Sequence, residues 1–241
     1  MLRVMELKVK FTICKTMMGA SVYNAFLSKW HSTINMQAKN FPNLPPQLPA
    51  RGTAHSRAWF RQLLFLQGWS FEGEIPDLPK GVAILMPHTS NYDAWYALIG
   101  ILGLGVKISV LGKASLFKTP LKPLLEQVDV IPIQRNSKSG FTEQAIQIMQ
   151  SREKIWIGLA PEGTRKHAQD LKTGFYRIAT GANVPIVMFA LDYQKKVLRC
   201  LGALQPSGDY EQDLDKILAH YQGQFYPKRL EWLSEPLRKL L

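Results

Sequence analysis

The sequence has little cysteine and no long hydrophobic run. Its 241 residues include two cysteines, Cys14 and Cys200, which form no Cys-x-x-Cys pair. This excludes a disulfide scaffold and a zinc ribbon, and it is typical of a reducing compartment. The longest uncharged apolar stretch, Ile178–Leu191, has 14 residues, fewer than the roughly 20 that a membrane-spanning helix needs. Because Lys15 interrupts the apolar stretch near the start, we expect no cleaved signal peptide either.

Acidic residues are also scarce, above all near the start. The chain carries 30 Lys and Arg but 18 Asp and Glu, a formal net charge of +12. Residues 1–70 contain nine basic side chains and one acid, Glu6, a net charge of +8. Such an excess favours an anionic partner. The sequence has no zinc-finger spacing, basic zipper or aromatic RNA-binding motif. We therefore expect an anionic membrane surface and no nucleic acid, although charge alone leaves a nucleic-acid-binding module as an alternative.

Prolines mark one boundary in the chain. Residues 40–52 contain four of them and predict an extended linker. We therefore divide the chain into a helical, basic extension at residues 1–39, this linker at residues 40–52, and a main domain at residues 53–241.

A short amphipathic helix is predicted directly after the linker. In Ser56–Gln67, Trp59, Phe60, Leu63 and Leu64 recur at helical spacing beside two arginines. An apolar face next to arginines is typical of a helix that lies in a membrane interface. The same face also suits packing on the main domain, so both interpretations stay open.

Short apolar strands alternate with helical patterns from residue 81 onward. The predicted strands are Val82–Met86, Lys107–Leu111, Val128–Ile133, Lys154–Leu159, Val184–Leu191 and Lys196–Leu201. This alternation predicts an α/β fold with a mainly parallel sheet flanked by helices, preceded by the N-terminal amphipathic helical region. In such sheets, ligands bind beyond the carboxyl ends of the strands.

A histidine and an aspartate stand where the first of these strands ends. His88 follows the strand directly, and Asp93 lies five residues later, near the start of a helix. A loop of this length can fold the carboxylate back onto the imidazole, which fixes the tautomer and favours the imidazolium. Such a pair also occurs by chance. Ser90 lies between them without the Gly-x-Ser-x-Gly pattern, which disfavours a serine hydrolase.

Cations follow three further strands. Lys113 lies just beyond the second strand, Arg135 ends the third, and Arg165 follows the fourth. Taken singly, each is an ordinary surface charge, but in a parallel sheet all three meet His88 at one edge. Beside Arg165, Gly163 allows backbone amides to approach a ligand. One base and three cations suit an anionic acceptor whose hydroxyl must lose a proton.

These residues together resemble the glycerolipid acyltransferase family, whose best-known members are the lysophosphatidic acid acyltransferases. The resemblance covers roughly residues 56–210, with four blocks in the order of the family: His88–Asp93, Lys113–Phe117 with Ile131–Arg135, Pro161–Arg165, and Val184–Val187. In two places the sequence departs from the family. Asp129 and Val130 stand where a glycine is usual, and Leu171 stands where phenylalanine is frequent. Both departures concern the identity of the acceptor more than the reaction.

The resemblance implies acyl transfer without a covalent enzyme intermediate and without a metal or other cofactor. His88 is then the general base on an acceptor hydroxyl, and Asp93 orients it. The donor and co-substrate is an acyl thioester, either acyl-CoA or acyl-carrier protein. The resemblance places substrate binding on Lys113, Arg135, Glu162, Gly163, Thr164 and Arg165. The apolar helix predicted over Ala94–Val106 is expected to line an acyl pocket.

The acceptor that the resemblance implies is a lysophospholipid, first of all 1-acylglycerol-3-phosphate, in phospholipid biosynthesis. The protein is then expected to be peripheral, at the cytoplasmic face of the inner or plasma membrane. Two alternatives stay open: the same chemistry on another lipid, such as an ornithine lipid, and a noncatalytic membrane-lipid-binding protein. The presence of His88, Asp93 and Glu162–Arg165 argues against the second, because binding needs no positioned base.

Overall fold

The computed structural model describes residues 41–118, 120, 122–127, 129–134 and 140–241. The predicted extension at residues 1–39, Arg135 and the side chain of Lys113 lie outside the described part. The strands are β1 (Ser70–Glu72), β2 (Lys80–Met86), β3 (Ile108–Lys113), β4 (Val130–Ile133), β5 (Ile155–Leu159), β6 (Ile186–Asp192) and β7 (Val197–Leu204). The helices are α1 (Ala54–Leu66), α2 (Asn91–Leu104), α3 (Lys122–Gln127), α4 (Phe141–Gln150), α5 (Gly174–Ala182), α6 (Tyr210–Tyr221) and α7 (Glu235–Arg238), with 3₁₀ turns at Ala114–Lys118 and Leu230–Trp232. In the part of the chain described here, no helix combines the length and apolar character needed to cross a membrane.

The seven strands form one mostly parallel sheet, which confirms the predicted α/β fold. Their order is β1-β7-β6-β2-β5-β3-β4. Strands β2 to β6 run parallel, whereas β7 is antiparallel to β6 and β1 runs with β7. The carboxyl ends of five strands therefore meet at one edge of the sheet. Because β2 lies between β5 and β6, the residues that follow these three strands become neighbours.

Successive side chains of the central strands enter two separate cores. In β2, Val82, Ile84 and Met86 pack on one face of the sheet, while Ala83 packs on the other. The first face is covered by α4, α5, α6 and α7, and the second by α1 and α2. A strand that is buried on both faces reads as a continuous apolar run rather than an alternating one. This explains why the sequence signal of β2, β5 and β6 was strong.

The helix predicted at Ser56–Gln67 is α1, and it packs on the main domain. Its Leu64 is fully buried, and Phe60 contacts the same core from a partly buried position. The Arg61 Nε donates to the carbonyl of Gly103 in α2 at 2.7 Å. Trp59, by contrast, is 58% exposed. The packing interpretation is therefore confirmed, and the membrane interpretation of the exposed face stays a prediction.

The described end of the proline-containing segment also lies against this domain. Leu48 is buried, and Ala50 forms an antiparallel bridge with Val106. The Lys107 amide donates to the carbonyl of Pro49 at 2.7 Å. Residues 49–51 thus pair with residues 105–107 directly after α2, and a turn precedes them at residues 46–47, while the division into three segments stays a prediction.

Candidate active site

Helix α2 begins just beyond the end of β2 and carries Asp93 in its first turn. The Asp93 carboxylate is fully buried and accepts hydrogen bonds from the Thr89 amide at 2.5 Å and the Ser90 amide at 2.7 Å. The Ser90 hydroxyl donates to it as well, at 2.8 Å. These bonds satisfy N–H groups at the helix start, where the helix dipole also favours a negative charge. The carboxylate therefore fixes the loop that carries His88.

The imidazole of His88 faces this carboxylate, as the sequence predicted. Its Nδ1 lies 3.6 Å from Oδ2 of Asp93, and this nitrogen is buried without a hydrogen-bond partner among the described residues. Burial lowers the pKa of His88, the charge of Asp93 opposes this, and the Arg165 guanidinium lowers the pKa further. The lowered pKa favours the neutral ring, which has a nitrogen free to accept a proton. With Nδ1 turned towards Asp93, Nε2 is the nitrogen left for a substrate.

Glu162 lies behind His88. Its side chain is buried, with 1% exposed, and Oε2 accepts a short hydrogen bond from the His88 backbone amide. Burial raises the pKa of Glu162 to about 7, and the nearby Asp93 charge adds to the rise. The hydrogen bond from His88 and the contact with Ser234 oppose it. The hydrogen bond between the His88 amide and Glu162 connects the loops after β2 and β5. A direct role for Glu162 in substrate binding stays a prediction.

The residues after Glu162 turn into the cleft beside His88. Gly163 adopts a φ of 64°, in the left-handed region that favours glycine. The Thr164 Oγ1 accepts a hydrogen bond from the Lys166 amide at 3.2 Å, which shapes the turn. Gly163, Thr164 and Arg165 all line the same cleft as His88. The structure thus brings these predicted residues together, because β2 and β5 are adjacent and parallel.

The two other predicted cations belong to the neighbouring strands. Lys113 is the last residue of β3 and is in register with Ile133 of β4. Its backbone is therefore at the same edge of the sheet as His88. Arg135 and the Lys113 side chain lie outside the described residues, so their part in the site stays a prediction.

The cleft at this edge is large and positively charged. Its volume is about 820 Å³. Among the described residues it is lined by His88, Ser90, Asn91, Tyr92, Ala160, Gly163, Thr164, Arg165, Lys166, Lys228, Arg229 and Trp232. Four of these are cations and none is an Asp or Glu. A site of this charge favours an anionic ligand.

A second, apolar cavity of about 360 Å³ lies beside the cleft. Helix α2 contributes Ala94, Ala97, Leu98 and Ile101 to its wall, as predicted for this helix. Strands β2, β3 and β5 contribute most of the remaining wall. His88 and Ala160 line both the cavity and the cleft. His88 is therefore placed where the apolar and the cationic spaces meet.

Tyr193 is a site residue that sequence reasoning missed. Its hydroxyl donates to Oδ1 of Asp93 at 2.5 Å, and its ring packs edge-on against Trp69. Burial raises the pKa of Tyr193, and so does the hydrogen bond to Asp93, so the hydroxyl keeps its proton. Tyr193 follows β6 directly. The rule that functional groups follow parallel strands, applied to β6 as well, would have found it.

A C-terminal segment, residues 226–232, forms another wall of the cleft that was not predicted. The Tyr226 amide donates to the carbonyl of Leu191 at 3.1 Å, and the carbonyl of Tyr226 accepts from the Tyr193 amide at 3.0 Å. The Arg229 amide donates to Oγ1 of Thr89, beside His88, at 3.3 Å. No sequence pattern marks this placement, because the contacts connect residues up to 140 positions apart.

Comparisons with known proteins assign a family to this chain. A sequence profile of the acyltransferase family matches residues 72–192, which is just over half of the 241 residues. This chain belongs to the acyltransferase family. Its structure is similar to that of the 1-acyl-sn-glycerophosphate (LPA) acyltransferase, PlsC, from Thermotoga maritima, with 17% sequence identity over 67% of this chain and 73% of that chain and a TM-score of 0.48. The comparison with curated protein sequences gave no match.

Proposed function

We propose that this acyltransferase moves a fatty acyl group from an acyl thioester to a hydroxyl of a lysophospholipid, first of all 1-acylglycerol-3-phosphate. The observation that carries the proposal is that His88 lines both the apolar cavity and the cationic cleft. An acyl chain suits the cavity, and the polar, phosphate-bearing parts of the substrates suit the cleft. The thioester carbonyl then lies at the junction, next to the base.

The proposed reaction uses His88 as a general base and then as a general acid. Nε2 takes the proton of the acceptor hydroxyl while its oxygen attacks the thioester carbon. The resulting imidazolium is stabilised by Asp93, whose carboxylate is 3.6 Å from Nδ1. When the carbon–sulfur bond breaks, the imidazolium returns the proton to the thiolate. An ester and a free thiol are formed, and the enzyme is left unchanged.

The charge of the cleft favours this reaction in a second way. The tetrahedral intermediate carries a negative oxygen, and fixed positive groups stabilise it more strongly away from bulk water. Arg165 lines the cleft beside His88, and we assign to its guanidinium the stabilisation of this negative oxygen. The same guanidinium suits an acceptor phosphate.

The first experiment is acyl transfer by the purified protein with acyl-CoA or acyl-carrier protein and a panel of lysophospholipids. Thiol release and lipid product are followed together. His88→Ala is expected to lose nearly all transfer and to keep its fold by circular dichroism. His220→Ala is the matched control, because His220 bonds to the Lys216 carbonyl on α6 and does not line the cleft. Full activity in His88→Ala disproves the general-base role.

The same panel separates the two alternatives for this site. Product from an ornithine lipid but not from glycerophosphate acceptors supports the different acceptor. Lipid binding without thiol release from any donor supports a noncatalytic lipid-binding protein. Arg165→Ala adds to the comparison of acceptors. It is expected to lower the rate of transfer to acceptors with a phosphate more than the rate of transfer to acceptors without one.

We also propose that the protein works as a peripheral protein at an anionic membrane surface, on the cytoplasmic side. Four large apolar side chains are exposed on the paired helices: Trp59 and Leu66 of α1, and Tyr92 and Trp95 of α2. The Trp95 Nε1 donates to the side chain of Gln67 at 2.9 Å, so the ends of these two helices adjoin. Aromatic side chains of this kind suit the boundary between lipid and water.

Vesicle sedimentation tests the membrane proposal. Wild type is expected to bind vesicles with anionic lipid more tightly than zwitterionic ones, and Trp59→Ser with Trp95→Ser is expected to reduce binding. Leu241→Ser is the control, because Leu241 is also exposed but lies outside these helices and lines neither the cleft nor the apolar cavity. Equal binding by all three proteins contradicts this assignment.

A further inference from the structure

The cleft holds two pairs of adjacent cations on separate segments of the chain. Arg165 and Lys166 follow β5, whereas Lys228 and Arg229 belong to the C-terminal segment. The resemblance places only the first segment in substrate binding. The proposed function gives Arg165 one phosphate and leaves the second pair without a task.

The second pair is held in place by its backbone. The Arg229 amide donates to Oγ1 of Thr89, next to His88, at 3.3 Å. Beyond Arg165, Nδ1 of His167 lies 2.8 Å from the carbonyl oxygen of Leu233. The Glu235 amide donates to the carbonyl of Ala168 at 2.9 Å. The C-terminal segment contacts the loop after β2, and Leu233 and Glu235, which directly follow the segment, contact the loop after β5. A segment fixed at both ends holds its cations at a defined place in the cleft.

The charges of the second pair are available to a ligand. The Lys228 ammonium lies 4.9 Å from the ring centre of Tyr92 and 5.4 Å from that of Tyr193. The Arg229 guanidinium lies 4.1 Å from the ring centre of Trp232. These contacts position the two cations without neutralising them. Neither residue is in any ion pair among the described residues, and both are exposed.

We propose that Lys228 and Arg229 form a second phosphate subsite of the cleft, distinct from the one at Arg165. The inference rests on the proposed function, in which both substrates carry phosphate: the acceptor in its head group, and the donor in the phosphopantetheine of coenzyme A or acyl-carrier protein. Two phosphates repel each other, so a cleft that holds both substrates needs a cation group for each. The shared ligand chemistry is a phosphate ester, and the experiment decides which substrate supplies it.

The test measures binding and turnover in Lys228→Gln, Arg229→Gln and the double variant. Calorimetric titrations use coenzyme A as the probe for the donor and glycerol 3-phosphate as the probe for the acceptor. Steady-state kinetics give kcat and KM for each substrate. Lys239→Gln is the matched control, because Lys239 is exposed in the same C-terminal region but does not line the cleft. Lys228→Arg tests whether charge alone restores binding.

The double variant is expected to bind one of the two probes about tenfold more weakly, with a matching rise in one KM and little change in kcat. A loss confined to coenzyme A assigns the subsite to the donor carrier, and a loss confined to glycerol 3-phosphate assigns it to the acceptor. Unchanged binding of both probes overturns the inference. The titrations do not depend on turnover, so absence of acyl transfer by wild type contradicts the proposed function separately.

Discussion

The hydroxyl of Tyr193 donates a hydrogen bond of 2.5 Å to Oδ1 of Asp93, a residue 100 positions earlier in the chain. Together with the two amides and the Ser90 hydroxyl, it is the fourth donor on this buried carboxylate. Asp93 in turn faces His88 at 3.6 Å. In the proposed reaction, Tyr193 is therefore a positioning residue, which influences His88 through Asp93.

Tyr193→Phe is expected to lower kcat about tenfold and to leave KM nearly unchanged. With one donor fewer, the Asp93 carboxylate favours the imidazolium more strongly, so the pKa of His88 rises and the acid limb of the pH profile moves to higher pH. Tyr96→Phe is the control, because Tyr96 packs in the same aromatic cluster with Trp69. A loss of kcat without any movement of the acid limb contradicts a role through Asp93.

The pH dependence of kcat/KM tests the state of His88. Burial lowers the pKa of His88 from its ordinary value of 6.5. Only the neutral ring accepts a proton, so activity is expected to fall as pH decreases through a midpoint below 6.5. Glu162→Gln removes the carboxyl group next to His88 whose pKa is raised to about 7. The acid limb of its kcat/KM profile is expected to have the same midpoint as that of wild type. A midpoint well above 6.5 in both proteins disagrees with this assignment.

Glu162→Gln is expected to change how stability depends on pH. Burial raises the pKa of Glu162 from 4.5 to about 7. Between these values the folded protein keeps a proton that the unfolded chain has lost, so wild type loses stability as pH rises from 4.5 through about 7. The rise in pKa corresponds to about 3 kcal/mol of unfolding free energy. Glu162→Gln does not titrate at this position and so lacks this loss. Its free energy of unfolding, relative to that of wild type, is therefore expected to rise by up to about 3 kcal/mol between pH 4.5 and about 7.

Urea unfolding at pH values on both sides of this window measures the effect. Glu153→Gln is the control, because Glu153 is exposed and is expected to follow wild type at every pH. Parallel stability curves for Glu162→Gln and wild type rule out the raised pKa.

Ala97→Phe tests the apolar cavity. Ala97 lies on α2 and lines the cavity of about 360 Å³. A phenyl ring at this position fills space that an acyl chain needs, so transfer of long chains is expected to fall at least tenfold while short chains are transferred almost as before. Rates with donors of increasing chain length, normalised to the shortest donor, give the readout. An equal loss for all lengths indicates a general distortion instead.

The His88–Asp93 pair was predictable because its geometry is local. The sequence placed His88 after a strand and Asp93 near the start of a helix, and in the structure Ser90 caps that helix, so the pair is fixed within six residues. Gly163 and Arg165 were predictable from the parallel order of β2 and β5. Tyr193, Lys228 and Arg229 reach the site through contacts between distant residues, which no local pattern encodes.

The short strand β1 was missed for a related reason. Its three residues, Ser70–Glu72, are too few to show a period, and the strand forms because β7 supplies a parallel partner. Arg199 of β7 then pairs at 2.8 Å with Glu72, which is 127 residues earlier in the chain, and at 3.0 Å with Asp192, across the turn between β6 and β7. Tertiary contacts of this kind override weak local preference.

The hydrogen bond from Arg229 to Thr89 has a consequence for the order in which the site is assembled during synthesis. The loop after β2 leaves the ribosome early, but the wall that closes its cleft is made of residues 226–232. Strand β2 gains its neighbours β5 and β6 only when residues 155–192 have been made, and the wall of the apolar cavity also needs Leu198 of β7. The cleft is complete only when residues 226–232 have been made, so a truncated chain that ends before residue 226 lacks this wall together with Lys228 and Arg229.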